Sequence, residues 1–118
     1  MQMVNMRIKI NPNSLKELGT SINHAIIENM DHINYLDYYN LQHLIKRFID
    51  KNYQLTTFDP LKPHRSKISI KININEADSY RTLMLMKSII WENDYLSGLH
   101  RDLIGQIDQH IANIQKLV

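Results

Sequence analysis

No cysteine occurs among the 118 residues, and glycine and proline are scarce, with three of each. The absence of cysteine excludes a disulfide framework, a zinc ribbon, a CxxC redox site and a cysteine nucleophile. The scarcity of glycine and proline leaves few residues for tight turns, which disfavours a many-stranded sandwich or barrel. The glycines are isolated at Gly19, Gly98 and Gly105, so the chain also lacks a glycine-rich phosphate-binding loop.

Long apolar runs are missing as well. No stretch approaches the roughly 18 consecutive apolar residues that a membrane span requires, and residues 1–11 lack the apolar core and cleavage site of a signal peptide. We therefore expect a cytoplasmic protein with no membrane partner. The chain is nevertheless 43% hydrophobic, which is enough to build a folded core and predicts one domain over residues 1–118.

Isoleucine, asparagine and lysine are frequent, whereas alanine and valine are rare. The three frequent residues share AT-rich codons, so we attribute the bias to an AT-rich bacterial, phage or mobile-element genome. The formal net charge is only +2, so contact with several phosphates would require a local cluster of cations.

Two segments alternate apolar and polar residues, which is typical of strands with one buried face. Their apolar positions are Val4, Met6, Ile8 and Ile10 in the first segment, and Ile68, Ile70, Ile72 and Ile74 in the second. Two such strands, without other strong partners, are expected to pair with each other and to be covered by helices on one face. A short edge strand over residues 53–58, at the start of a loop that extends to Ser66, is an alternative third strand.

Apolar residues spaced by three or four positions predict four helices. The first helix follows Ser14, and the second starts near Asp37 and ends near Asn52. The third helix is capped by Asn75 and extends to Trp91, and the last covers residues 96–118. The predicted fold is α+β and mostly helical, in the order strand-helix-helix-strand-helix-helix, with a small antiparallel sheet. The similarity of residues 8–13 to residues 70–75 leaves a pseudo-repeat of halves 1–59 and 60–118 open.

Catalytic and metal motifs are weak. His100-Arg101-Asp102-Leu103 resembles the start of a protein-kinase catalytic loop, but Ile107 stands where a metal-binding asparagine is needed, and we assign the segment to a surface helix. Glu28, Asp31 and His32 have helical spacing, yet a solvated polar face explains them better than a metal site. We assign no catalytic, cofactor-binding or metal-binding residue and expect no cofactor, so an enzymatic activity is unsupported.

Several cations lie on or near the predicted strands, at Arg7, Lys9, Lys62, Arg65, Lys67 and Lys71. If the strands pair, these side chains share one exposed face, and a two-stranded ribbon followed by helices resembles the ribbon-helix-helix repressors in element order alone. The first helix is too long for that family, and no diagnostic strand motif is present. A DNA-binding regulator is therefore our second hypothesis, beside the simpler explanation that edge strands carry cations to prevent aggregation.

The predicted third helix is apolar almost all round and rich in methionine and aromatic residues, which favours a protein interface or a central core position. The residues that we expect in that core or interface are Leu83, Met86, Ile90, Trp91, Leu99 and Ile107. Our first hypothesis is thus a small, non-enzymatic protein-interaction or regulatory protein that self-associates as a homo-oligomer or binds a protein partner.

Overall fold

The computed structural model describes residues 4–58, 67–86 and 94–116. Within these ranges the main elements are β1 (Asn5–Ile10), α1 (Leu15–Glu28), α2 (Tyr35–Phe58), β2 (Ile68–Asn73), α3 (Ile74–Met84) and α4 (Asp94–Lys116). Short 3-10 turns at Pro12–Ser14 and Met30–His32 precede α1 and α2. The predicted fold class is confirmed: the protein is mostly helical, with the expected element order and a two-stranded antiparallel sheet.

β1 and β2 form an antiparallel ribbon in which Ile8 lies opposite Ile70 and Arg7 opposite Lys71. The alternation of the sequence puts one face of this ribbon in the core and the other in solvent, as predicted. Ile74 is an exception, because it begins α3 instead of extending β2.

The start of α3 is fixed by a capping box at Asn73, two residues before the predicted cap. The Asn73 side chain accepts a hydrogen bond from the Glu76 amide at 2.8 Å, and the Glu76 carboxylate accepts one from the Asn73 amide at 2.9 Å. Each side chain thus satisfies a backbone donor that the first helical turn leaves free.

α2 is longer than predicted at both ends. The Asn34 side chain accepts a hydrogen bond from the Asp37 amide at 2.7 Å, so Asn34, and not Asp37, provides the cap. At the other end the helix continues to Phe58, and the predicted edge strand over residues 53–58 is wrong. Leu55 continues the inward stripe of α2 and packs against the core, which favours helix over strand in this segment.

The core lies between the buried ribbon face and the four helices. Its fully buried large side chains are Ile8, Leu15, Leu18, Ile22, Ile26, Leu41, Leu44, Phe48, Ile72, Tyr80, Leu83 and Ile107. Every main element contributes to this set, so the ribbon is held in place from one side by all four helices.

α4 covers the outer edge of β1 with side chains. The Lys9 amide donates to Gln106 Oε1 at 2.7 Å, and Gln106 Nε2 donates back to the Lys9 carbonyl at 2.8 Å. His110 Nε2 donates to the Arg7 carbonyl at 2.8 Å. These bonds replace those of a missing neighbouring strand, so the edge of β1 is closed.

α3 ends at Met84, and Leu85 after it is exposed. The predicted continuation to Trp91 lies outside the described residues. In the described part of the chain, no helix combines the length and the hydropathy needed to cross a bilayer.

Candidate nucleic-acid interface

The solvent face of the ribbon carries only polar and cationic side chains, namely Asn5, Arg7, Lys9, Ser69, Lys71 and Asn73. The backbone groups of Arg7 and Lys9 point away from β2 and bond to α4. Arg7 and Lys71 therefore form a non-hydrogen-bonded pair, the kind in which opposing side chains come closest, with Cβ atoms about 4.5–5.5 Å apart. Two cations thus stand side by side at the centre of the exposed face.

α2 extends this cationic surface beyond the ribbon. A groove of about 410 Å³ separates its C-terminal half from β2, and its lining includes Arg7, Arg47, Asp50, Lys51, Gln54, Ser69 and Lys71. Arg47 and Lys51 lie four residues apart on one flank of the helix, so both side chains reach the groove. Sequence reasoning did not assign either residue, because nothing in the local pattern places this flank beside β2.

Arg47 is held in position by a buried carboxylate. Its Nε atom lies 2.8 Å from both oxygens of Glu76, and Glu76 is only 1% exposed. Because Glu76 also caps α3, this contact joins α2 to the β2–α3 junction. The two terminal nitrogens of Arg47 make no hydrogen bond to any other described residue, so they are available to a ligand in the groove.

The two described carboxylates beside this surface, Asp50 and Glu76, are each paired with a cation. Asp50 pairs with Lys46 at 2.7 Å, and Glu76 pairs with Arg47. Among the residues that the structure describes, the remaining cations of this surface form no salt bridge; they are Arg7, Lys9, Lys51, Lys67 and Lys71. We call these five residues together with Arg47 the basic face. The predicted cations Lys62 and Arg65 lie outside the described residues.

A second polar cluster lies in the interior, around His100. Its Nδ1 atom is 2.6 Å from the Tyr80 hydroxyl, and its Nε2 atom is 2.8 Å from Ser21 Oγ. The Ser21 hydroxyl donates to the Leu18 carbonyl at 3.0 Å, so it must accept from the His100 Nε2–H group. The hydrogen bonds therefore run in one direction, from Tyr80 through His100 and Ser21 to Leu18.

Burial keeps this cluster neutral. It lowers the pKa of His100 to about 4 and raises the pKa of Tyr80 well above its usual value. A serine nucleophile needs a histidine that accepts its proton, whereas Ser21 receives a hydrogen bond from His100. The cluster is thus a buried link between α1, α3 and α4.

The assignment of His100 to a surface helix is wrong, because His100 is 2% exposed. The sequence does contain a signal for burial: His100 lies three residues before Leu103 and seven before Ile107, on the inward stripe of α4. An open groove of about 320 Å³ passes nearby between α3 and α4, where Arg81 and Asp108 form an ion pair at 2.9 Å.

The other predicted residues are distributed as follows. Leu83 and Ile107 are buried, and Met86 and Leu99 are half-buried against the core, whereas Ile90 and Trp91 lie outside the described residues. Glu28, Asp31 and His32 are exposed, and no group of three or more potential metal ligands is present among the described residues.

No protein-family model matches the chain, and neither a curated protein nor a solved structure is significantly similar to it.

Proposed function

We propose that the protein binds nucleic acid through the basic face and contacts the phosphate backbone with it. The observation that carries this proposal is a set of five cations on or next to the solvent face of the ribbon and its groove, which form no salt bridge with any described residue and lie beside two carboxylates that are both paired. The whole chain has a net charge of only +2, so binding to several phosphates depends on this local group of cations.

The chemistry of the face favours nucleic acid over an acidic protein. Protein interfaces gain most of their affinity from buried aromatic and apolar anchors. The solvent face of the ribbon offers none, since its six residues are lysine, arginine, asparagine and serine. These are the side chains that contact phosphate oxygens in complexes with DNA. A two-stranded ribbon is also narrow enough for the major groove, which is about 12 Å wide.

Binding is expected to be electrostatic. A phosphate between Arg7 and Lys71 accepts hydrogen bonds from both side chains and removes their mutual repulsion. Arg47 presents its donors in a fixed orientation, because Glu76 holds its Nε atom. Each neutralised phosphate releases counterions, so affinity must fall steeply as salt is added.

The proposal is tested by fluorescence anisotropy with a labelled 20-base-pair duplex of mixed sequence and with its single strand. Five phosphate contacts predict a slope of about −4.5 for the duplex, and of about −3.5 for the single strand, in a plot of log affinity against log salt concentration. The Arg7→Glu, Lys71→Glu variant should bind at least tenfold more weakly. Its salt dependence should be shallower, with a slope whose magnitude is smaller by about two.

The matched control is the Lys16→Glu, Arg101→Glu variant, which changes the net charge equally but leaves the basic face intact. It should bind within about threefold of the natural chain. Equal loss of binding in both variants would show a non-local charge effect, and binding of polyglutamate with no binding of DNA would overturn the proposal in favour of an acidic protein partner.

We propose a self-associating protein-interaction function as the second candidate. Exposed aromatic side chains on α2 favour it, since Tyr35 is 84% and Tyr53 69% exposed. The sequence had suggested α3 as the interface instead.

A further inference from the structure

The outer edge of β2 is open, whereas the outer edge of β1 is closed by α4. The Lys9 backbone bonds to Gln106 and therefore points away from β2. Ser69 lies opposite Lys9 in a non-hydrogen-bonded pair, so its own N–H and C=O groups point away from β1. The same holds for Lys71, two residues further along β2. In the described part of the chain, none of these four outward groups has a hydrogen-bond partner.

This open stretch of β2 ends at the start of α3. The next outward-facing amide, that of Asn73, donates to the Glu76 carboxylate at 2.9 Å, so the edge is closed there. Proteins usually cover or interrupt an unpaired strand edge, because such an edge can pair with another chain. An extended peptide adds to an open edge as a further strand, and main-chain hydrogen bonds then supply much of the affinity.

The donors and acceptors along this edge match those of a peptide backbone. Ser69 and Lys71 each present one N–H donor and one C=O acceptor. A phosphate chain offers only acceptor oxygens, so it would leave both carbonyls without a donor. An antiparallel peptide strand gives each of the two residues a donor and an acceptor, and so satisfies all four groups. The edge therefore fits a peptide strand better than it fits nucleic acid.

The charges beside the edge select an acidic strand. The groove of about 410 Å³ along β2 is lined by four cations, namely Arg7, Arg47, Lys51 and Lys71. A second copy of β2 at this edge would bring a second set of the same cations, and their repulsion disfavours it. Residues 59–66 of the chain contain two prolines and more cations than carboxylates, so their sequence lacks the required donors and charge.

The period of a strand defines the sequence that fits. Ligand residues opposite Ser69 and Lys71 place their side chains on the cationic solvent face, where glutamate or aspartate is favoured. The residue between them lies opposite Ile70, on the core side of the sheet, where an apolar side chain is favoured. Three extended residues span about 10 Å, so an acidic-apolar-acidic segment is long enough to cover the open stretch.

We propose that an extended acidic segment of a partner protein binds in this groove and adds to the sheet as a third strand, antiparallel to β2. Main-chain hydrogen bonds to Ser69 and Lys71 fix its register, and its carboxylates face the cations of the groove. The segment occupies cations of the basic face, so it competes with nucleic acid there. This competition rests on the proposed function, whereas binding of the segment itself does not.

The first test measures binding of a fluorescent peptide, Glu-Val-Glu-Val-Glu with blocked ends, by anisotropy. One derivative is methylated at the backbone nitrogens of its glutamates, which removes the donors to the β2 carbonyls, and should bind at least tenfold more weakly. The matched control is methylated at its valine nitrogens, which point away from β2, and should bind within about threefold of the unmodified peptide. All three peptides carry the same charge.

The second test changes the protein. Ser69→Pro removes one outward N–H donor and spares the ladder to β1, because the Ser69 amide does not bond to that strand. This variant should bind the unmodified peptide about fivefold more weakly, whereas Ser69→Ala keeps the donor and should bind it as the natural chain does. Circular dichroism and urea unfolding check that both variants are folded.

The outcomes separate this inference from the proposed function. Ser69→Pro keeps every residue of the basic face, so it should bind the DNA duplex within about threefold of the natural chain. A natural chain that binds the duplex but not the peptide would overturn this inference alone. Equal binding of all three peptides would show attraction by charge without strand pairing, and it would overturn the inference as well.

Discussion

Arg7 and Lys71 lie directly opposite each other on the solvent face of the ribbon, in a non-hydrogen-bonded pair. Opposite charges at such positions stabilise a sheet, and like charges destabilise it. The natural sequence therefore keeps an unfavourable pair where an exposed carboxylate would stabilise the fold. The proposed phosphate ligand would remove this repulsion.

This relationship predicts that Lys71→Glu stabilises the free protein while it weakens nucleic-acid binding. The free energy of unfolding in urea should rise by about 0.5 kcal/mol, because a repulsive pair becomes an attractive one. The gain should shrink in an Arg7→Gln background, which removes the partner. A loss of stability in the natural background would contradict the paired geometry.

The buried His100 predicts a specific dependence of stability on pH. Its pKa is about 4 in the folded protein and about 6.5 in the unfolded chain, so the unfolded chain binds the proton first as pH falls. The neutral histidine contributes fully to the free energy of unfolding above pH 6.5, and this contribution is lost as the pH falls through 4. Between pH 7 and 4.5 the free energy of unfolding should decrease by about 2 kcal/mol from this group alone.

The measurement compares urea unfolding of the natural chain and of His100→Gln at both pH values. Glutamine retains one donor and one acceptor but does not titrate, and all other ionisable groups stay the same. The natural chain should lose more stability than the variant as the pH falls. If the free energies of unfolding of both proteins change in parallel with pH, the pKa of His100 is not lowered by folding.

The hydrogen bonds of Gln106 to the edge of β1 are expected to stabilise the fold. In Gln106→Leu, the Lys9 amide and carbonyl lose both hydrogen-bond partners, and the free energy of unfolding should fall by about 1–2 kcal/mol. Amide hydrogen exchange at Lys9 should accelerate as well. Gln109→Leu is the control, because the Gln109 side chain bonds to the Asn113 side chain on the same helix and to no other described residue. It should change stability by less than about 0.5 kcal/mol.

Gly19 predicts a stabilising substitution. A Cβ atom at this position would lie 3.7 Å from Ile49 Cγ1 and 3.8 Å from Ile45 Cγ2, which is ordinary van der Waals contact. Gly19→Ala should therefore raise the free energy of unfolding by about 0.5–1 kcal/mol, through its helix propensity. Gly105→Ala, where the added atom has no described atom within 4 Å, should give a similar gain. A loss confined to Gly19→Ala would mean that α1 and α2 pack more tightly.

The ribbon and most of the core were predictable because hydrophobic periodicity alone specifies them. The alternation around Ile8 and Ile70 fixed both strands and the shared exposed face of Arg7 and Lys71. The end of α2 was not predictable in this way, since Tyr53 and the threonines after it have high β propensity. Tertiary packing of Leu55 against the core outweighs that propensity.

The candidate site was predictable only in part, because half of it depends on packing between distant segments. Arg47 and Lys51 join the basic face only when α2 lies beside β2. The partners of His100 come from positions 21 and 80, and no local pattern in the sequence connects them. The inward face of α2 was predictable from the spacing of Leu44 and Phe48, which are both buried.

The ribbon pairs residues that are far apart along the chain, with Asn5 opposite Asn73 and Ile10 opposite Ile68. Closing so long a loop costs more chain entropy than forming the contact between α1 and α2, which are neighbours in sequence. The helical hairpin is therefore expected to form first during folding, and strand pairing to come late. The basic face is consequently a property of the finished fold alone, and a nascent or partly unfolded chain does not display it.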